Sequence, residues 1–231
     1  MDWIGLDKQW LLAVNGSESV FLDSLAITLT TAATWIPLYV ALLYVVMKNS
    51  ANLKKVLLIL ACAGLCVLLA GTVDDVFVKP MVARWRPTRD PEIGMSVDIV
   101  NGYRGGRFGF FSSHASNTFS IAIFFAWLVR SRLLTVTMVL WSLLNCWTRL
   151  YLGVHYPGDI MTGLLWGAVV GTLVWLLYYK IEQHTETRAN FISSQYTKTG
   201  YQHSHIDVVV CVMAFTLAYA AIRACFSLYF V

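Results

Sequence analysis

Long apolar stretches separated by short polar breaks dominate this chain. Leu25–Met47, Val56–Val73, Ile160–Tyr179 and Val208–Val231 are such runs, and only the last contains a charged residue, Arg223. A helix needs about 20 apolar residues to cross a bilayer. Ala115–Val129 and Leu133–Trp147 are shorter, but each extends through neighbouring polar positions. The pattern predicts an all-α protein: a bundle of six transmembrane helices forming a single membrane-embedded domain over residues 1–231. A re-entrant pair is the alternative for the two short runs.

Local signals agree with helices. Pro37 lies inside the first run, where a kink is tolerated if neighbours satisfy the freed carbonyl. Ser112 and Ser113 precede the run from Ala115 as N-cap residues do. Pro157 suits the first turn of the fifth helix. Within residues 1–24, Trp3, Ile4, Leu6, Trp10, Leu11, Leu12 and Val14 can form the apolar face of an interfacial helix ending near Asn15-Gly16. A poorly ordered terminus is the competing reading. The same segment lacks the basic start and apolar core of a cleaved leader. Residues 181–207 are polar and read as a connector. Its His184, His203 and His205 have no acidic or Cys partners at metal spacing, so they read as solvated loop residues.

Composition sharpens this picture. The chain is 58% hydrophobic and 13% charged, with a mean hydropathy of +0.62, which excludes a soluble domain of 231 residues. Net charge is +4 and no nucleic-acid motif is present, so nucleic acid is not an expected partner. The five Cys all lie in apolar runs and read as small core residues.

Alternating six spans puts residues 1–24, 79–114, 149–159 and the C-terminus on one side. Residues 48–55, 130–132 and 180–207 fall on the other. Each side carries eight Lys and Arg, so the positive-inside rule is silent at face value. Seven of the eight on the first side belong to the clusters described next or to the loop joining them, leaving only Lys8. If a ligand accounts for those seven, the first side is extracytoplasmic.

Three polar clusters stand at helix ends on that side: Lys79 through Arg86-Pro87, then Phe111-Ser112-Ser113-His114, then Thr148-Arg149 through His155 and Asp159. Helix N-termini bind anions through free N–H groups and a positive dipole end. Ser112, Ser113 and His114 sit at one. Lys79, Arg86 and Arg149 can bracket a phosphate, Arg by its planar fork and Lys as a point charge. Taken singly, each cation could instead be an interfacial side chain reaching for water. His155 and Asp159 are four residues apart, so the carboxylate can orient one ring nitrogen and leave the other as a nucleophile. His114, on another helix, can serve as a general acid. Two His and one Asp among cations make a poor metal site. Asp74 and Asp75 can pair with nearby cations such as Lys79.

The clusters resemble the signature of the type 2 phosphatidic acid phosphatase family: Lys-x6-Arg-Pro, Pro-Ser-Gly-His, and Ser-Arg-x5-His-x3-Asp. Lys79, Arg86 and Pro87 match the first fully. Ser112 and His114 match the second, with Phe111 for Pro and Ser113 for Gly. Arg149, His155 and Asp159 match the third, with Thr148 for Ser. The resemblance implies phosphate-ester hydrolysis through a phosphohistidine at His155, aided by Asp159, with His114 protonating the leaving group. Lys79, Arg86, Arg149, Ser112 and Ser113 would bind the phosphoryl oxygens, and neither metal nor other cofactor is implied. Family substrates are lipid phosphates: undecaprenyl diphosphate, phosphatidylglycerol phosphate, phosphatidic acid and the phosphates of lipid A. Residues 88–111, with Arg104 and Arg107 beside several Gly, are candidates for headgroup specificity. Two further readings stay open: a lipid phosphotransferase and a non-catalytic anion channel or transporter. The few polar residues inside the spans weigh against the channel.

Overall fold

The computed structural model describes residues 3–183 and 194–228. Its helices are α1 (Trp3–Val14), α2 (Val20–Thr30), α3 (Ile36–Asn49), α4 (Leu53–Thr72), α5 (Lys79–Val82), α6 (Ser113–Val129), α7 (Arg132–Tyr151), α8 (Pro157–Gln183) and α9 (His203–Ser227). No β-strand occurs among the described residues, only two isolated bridges. The protein is an all-α bundle. Among the described residues, five helical stretches are long and apolar enough to cross a membrane: Ala32–Asn49, Leu53–Val82, Arg132–Tyr151, Pro157–Gln183 and His203–Ser227. Helix α6 has 17 residues and packs between α4, α7 and α8.

Short polar residues start the helices. Ser19, Asn52, Ser112 and Ser131 are N-caps whose side chains accept amides of the first turn, Lys55 N to Asn52 Oδ1 at 2.9 Å being the shortest of the four. Pro157 opens α8, where its missing N–H costs nothing. The two short runs become a hairpin of full helices, α6 and α7, joined at Arg130-Ser131, with Arg130 left-handed at φ +53°.

The first run departs from expectation. It is not one kinked helix. The chain is extended at Thr31 and makes a 3-10 turn over Ala32–Trp35 between α2 and α3. Side chains satisfy the carbonyls this break frees. Thr34 Oγ1 donates to Thr28 O at 2.7 Å, and Trp35 Nε1 to Leu29 O at 2.8 Å. Pro37 therefore sits in the first turn of α3, where it breaks no internal bond.

The second run overshoots its expected end. Helix α4 passes into a π-helical stretch, Val73–Val78, and then α5, so Lys79 is helical and not in a loop. Ser113 and His114 likewise belong to α6. The segment between clusters is thus shorter than residues 79–114.

Large side chains fill the centre. Trp35, Leu38, Phe124, Met138 and Trp141 are fully buried, and Trp35 meets Trp141 edge to face at 5.9 Å. Many apolar residues point outward, among them Leu68, Leu140, Leu165 and Ile222, as a lipid-facing surface requires. Cys62, Cys66 and Cys146 are buried as expected, whereas Cys211 and Cys225 lie exposed on the outer face of α9. An apolar solvent gives Cys no reason to face inward.

The two bundle ends are distinct. At one, Lys55 pairs with Glu182 at 2.5 Å, and Gln202 N donates to Asn49 Oδ1 at 2.9 Å. His203 and His205 lie in the first turn of α9, not in a solvated loop, and His205 packs edge-on to Tyr44. His184 lies outside the described residues. The opposite end gathers α1, residues 83–112 and the α7–α8 turn.

Candidate active site

Close packing of α6 on α8 builds the floor of that end. Gly163, Gly167 and Gly171 recur every fourth residue on α8. A Cβ at each would lie 2.7, 2.6 and 2.5 Å from the carbonyl oxygens of Ser112, Ser116 and Ser120 on α6. Small residues let two helix backbones approach in this way. Ser112 N then reaches the Asp159 carbonyl at 3.1 Å. The start of α6, with Ser113 and His114, is thereby fixed beside the start of α8, with His155 and Asp159.

His155 is buried between unlike neighbours. Its Nδ1 lies 3.5 Å from Asp159 Oδ2, a contact too long for a good hydrogen bond, and Nδ1 has no hydrogen-bond partner among the described residues. Oδ2 is instead held by the Tyr156 amide at 3.0 Å. On the other edge, Nε2 faces Arg86 Nη1 at 3.1 Å. Burial lowers the His155 pKa to about 4; Arg86 and Arg149 push the same way, and Asp159 opposes them. The imidazole is therefore neutral at pH 7, with a lone pair available.

Arg86 is brought in by the loop. Residues 83–112 fold back through an antiparallel bridge between Trp85 and Phe108. Arg86 Nε donates to Phe108 O at 3.0 Å, and Nη1 to Val154 O at 3.1 Å. A Cβ on Gly105 would come within 2.5 Å of Arg86 Nη1, so a side chain there would push the guanidinium off this position.

Arg149, only 2% exposed, donates from Nη1 to the Tyr103 hydroxyl at 3.1 Å, while Nη2 has no partner among the described residues. A buried, unpaired guanidinium nitrogen is costly unless an anion comes to it. Lys79 is anchored by Asp74 at 2.8 Å and by Asp75, and it donates to Ser113 Oγ at 2.5 Å. Ser113 Oγ in turn donates to Asp74 Oδ2 at 2.5 Å. The hydroxyl that replaces the family glycine is thus part of the Lys79 anchor. Ser112 is fully buried and caps the Ala115 amide. His114 is exposed at the mouth, within electrostatic reach of Arg149, His155, Arg86 and Lys79.

Lys79, Arg86, Ser112, Ser113, His114, Arg149, His155 and Asp159 therefore gather at one end of the bundle. Arg107 does not turn inward: its guanidinium lies over the Trp85 ring at 4.7 Å. Arg104 is exposed, with no partner among the described residues. Nor does any group of three or more His, Cys, Asp or Glu among them stand ready for a metal ion.

Several contributors were not singled out from sequence. Arg84 bridges Asp159 and Asp7, and Tyr103 supports Arg149. No local signal marks Arg84 or Tyr103, because their partners come from distant segments. The glycine stripe was visible as a four-residue repeat of small residues.

A buried imidazole beside a carboxylate, ringed by Lys and Arg at the end of a helical bundle, defines a class of membrane phosphatase. The chain belongs to the PAP2 superfamily, whose model matches residues 52–183. It is 41% identical over 178 residues to lipid A 4'-phosphatase of Bacteroides thetaiotaomicron, covering 76% of this chain and 78% of that protein. It is 33% identical over 175 residues to lipid A 4'-phosphatase of Porphyromonas gingivalis, covering 75% and 73%. A decaprenylphosphoryl-5-phosphoribose phosphatase of Mycobacterium tuberculosis is 34% identical over 99 residues, 43% of this chain and 50% of that one. No solved structure gives a significant match. Family and apolar helices together make this an integral membrane phosphatase.

Proposed function

We propose that this protein removes a phosphate from lipid A through a phosphohistidine at His155, without a metal. His155 Nε2 attacks phosphorus, and the bond from phosphorus to the lipid oxygen breaks. His114 gives that oxygen a proton. Water then attacks phosphorus, His114 takes up its proton, the P–N bond breaks with its electron pair returning to Nε2, and inorganic phosphate leaves. Lys79, Arg86 and Arg149, with the amides and the Ser112 hydroxyl at the start of α6, stabilise the charge that grows on the equatorial oxygens. Ser112 can still donate its O–H while its oxygen caps the helix.

The observation that carries this reading is the setting of His155, held between Asp159 at 3.5 Å and Arg86 at 3.1 Å. An incoming phosphate takes over the Arg86 donor and meets Nε2. Lipid A is favoured over the other family substrates by the two relatives that cover three quarters of this chain. Helix α1 lies along the membrane surface in this reading. Trp3, Ile4 and Trp10 are exposed, while Leu11 is buried and Asp7 turns to the site.

The test is phosphate release by purified protein from lipid A, undecaprenyl diphosphate, phosphatidylglycerol phosphate and phosphatidic acid, with and without a strong chelator. Lipid A should be hydrolysed fastest, the chelator should have no effect, and His155→Ala should abolish turnover on every lipid. Near-normal turnover by His155→Ala refutes the mechanism. Preference for another lipid refutes the substrate assignment. Loss to the chelator, restored by a divalent ion, refutes the metal-free reaction. Labelled phosphate on a second lipid makes the enzyme a phosphotransferase.

A further inference from the structure

Asp159 does not face His155 alone. Its Oδ1 accepts Arg84 Nη1 at 2.8 Å, and Arg84 Nη2 continues to Asp7 Oδ2 at 2.6 Å. Asp7 Oδ1 also accepts the Gly158 amide at 2.7 Å, so α1 grips the first turn of α8 directly. The Arg84 guanidinium lies over the Tyr156 ring at 4.1 Å. The Tyr156 hydroxyl donates to Asp90 at 2.7 Å, and Asp90 pairs with Lys8 of α1 at 3.3 Å. Two routes thus run from α1 to the residues flanking His155, one of them through the carboxylate beside the imidazole.

We propose that Asp7 and Arg84 are positioning residues for the catalytic pair, and that through them α1 sets how much negative charge Asp159 presents to His155. This rests on the reading of His155 as nucleophile.

Charges alternate along the line: Asp7 negative, Arg84 positive, Asp159 negative, then the imidazole. Arg84 draws on the charge of Asp159 through Oδ1, while Oδ2 stands 3.5 Å from Nδ1. Asp7 in turn offsets Arg84. Burial works against the charge on Arg84, and Asp159 and Asp7 more than compensate, so its pKa is raised. The charged and titratable groups bearing on His155 are Asp159, Arg86, Arg149 and His114. Those on Arg84 are Asp159, Asp7 and Tyr156, with the Asp90–Lys8 pair beyond. Arg86, Arg149 and His114 belong to the phosphate pocket. The Asp7–Arg84 arm reaches Asp159 from the α1 side. A change in that arm alters the nucleophile and leaves the phosphate contacts in place.

The signs follow. Arg84→Gln removes the cation paired with Asp159, so the carboxylate presents more negative charge to the ring, protonation becomes easier and its pKa rises. Asp7→Asn removes an anion and leaves Arg84 unbalanced, so the pKa falls. Arg84→Lys keeps the charge. Arg84 is partly exposed, so solvent screening limits the shift to about one pH unit.

The experiment is kcat and KM against pH on a short monophosphate ester, for wild type, Arg84→Gln, Arg84→Lys, Asp7→Asn and His155→Ala. Detergent-solubilised thermal unfolding controls for folding. The acid limb of kcat should move up by about one unit in Arg84→Gln, return near wild type in Arg84→Lys and move down in Asp7→Asn, with KM little changed. A limb that stays put in Arg84→Gln, or shifts the same way in Arg84→Gln and Asp7→Asn, overturns the inference. So does a loss confined to stability. Turnover by His155→Ala would instead overturn the underlying reading of the nucleophile.

Discussion

A side chain's charge says less about its task than the partners that hold it. Arg84, Arg86, Arg104, Arg107 and Arg149 look alike in sequence, yet the fold gives each a different place. Arg84 is tied to two carboxylates, Arg86 to two carbonyls and an imidazole, Arg149 to a phenol, Arg107 to aromatic faces. Arg104 alone among these five is exposed without a partner among the described residues, which suits it to a headgroup group away from the reacting phosphorus. Arg104→Ala should raise KM for the preferred lipid about 10- to 150-fold, the value of a charge-assisted hydrogen bond, and leave KM for a short monophosphate ester unchanged. Equal effects on both substrates would remove Arg104 from headgroup recognition. Arg107→Ala is the less clean probe, because it also loses packing on Trp85. The residues of the pocket were legible because their spacing and types carry chemistry. Tyr103 and Asp7 were not, because nothing near them in sequence says which distant segment they will meet.

Helices were legible as apolar runs, and their breaks were not. Hydropathy is blind to the interruption at Thr31, since Thr28, Leu29, Thr34 and Trp35 settle their backbone bonds without adding charge. It is equally blind to the inward face of α9, where lipid and core are both apolar and exposed Cys211 is no penalty. The contact of α6 with α8 is different: its glycine stripe has a register that makes a graded prediction. A Cβ at Gly163 meets Ser112 O, one residue from the Ser113 anchor, while Gly171 lies two turns deeper against Ser120 O. Overpacking such a contact costs about 1–3 kcal/mol at each position. Displacement of reacting groups by about 1 Å costs on the order of 100-fold in rate. Gly163→Ala, Gly167→Ala and Gly171→Ala should therefore lower unfolding temperature to similar extents, whereas kcat should fall most at 163 and least at 171. Equal loss of kcat at all three would mean that α6 and α8 move as one rigid pair, and that the stripe stabilises without positioning.

At the scale of the whole molecule, the question is which end faces the cytoplasm. Raw counting of Lys and Arg gives eight against eight and no answer. The fold supplies a reason to weigh them unequally. Lys79 and Arg84 are neutralised by Asp74, Asp75, Asp7 and Asp159, and Arg86 and Arg149 turn to His155 and Tyr103 in the candidate site. Cations committed to a site do not report orientation. At the other end Lys55 is paired with Glu182, but Arg130 and Lys198 stand exposed at helix connections. That asymmetry supports the proposal of an extracytoplasmic active site, on the side from which the lipid A of the proposed reaction would be reached. Met95, completely exposed in the 83–112 segment, is the best reporter position. Met95→Cys and Lys198→Cys, each in a background cleared of the five native Cys, mark opposite ends of the bundle. In intact spheroplasts a membrane-impermeant maleimide should label the first without lysis and the second only after it. The reverse pattern would turn the protein over and put its lipid substrate in the cytoplasmic leaflet. Labelling of both before lysis would instead signal leaky spheroplasts, which a cytoplasmic control protein identifies.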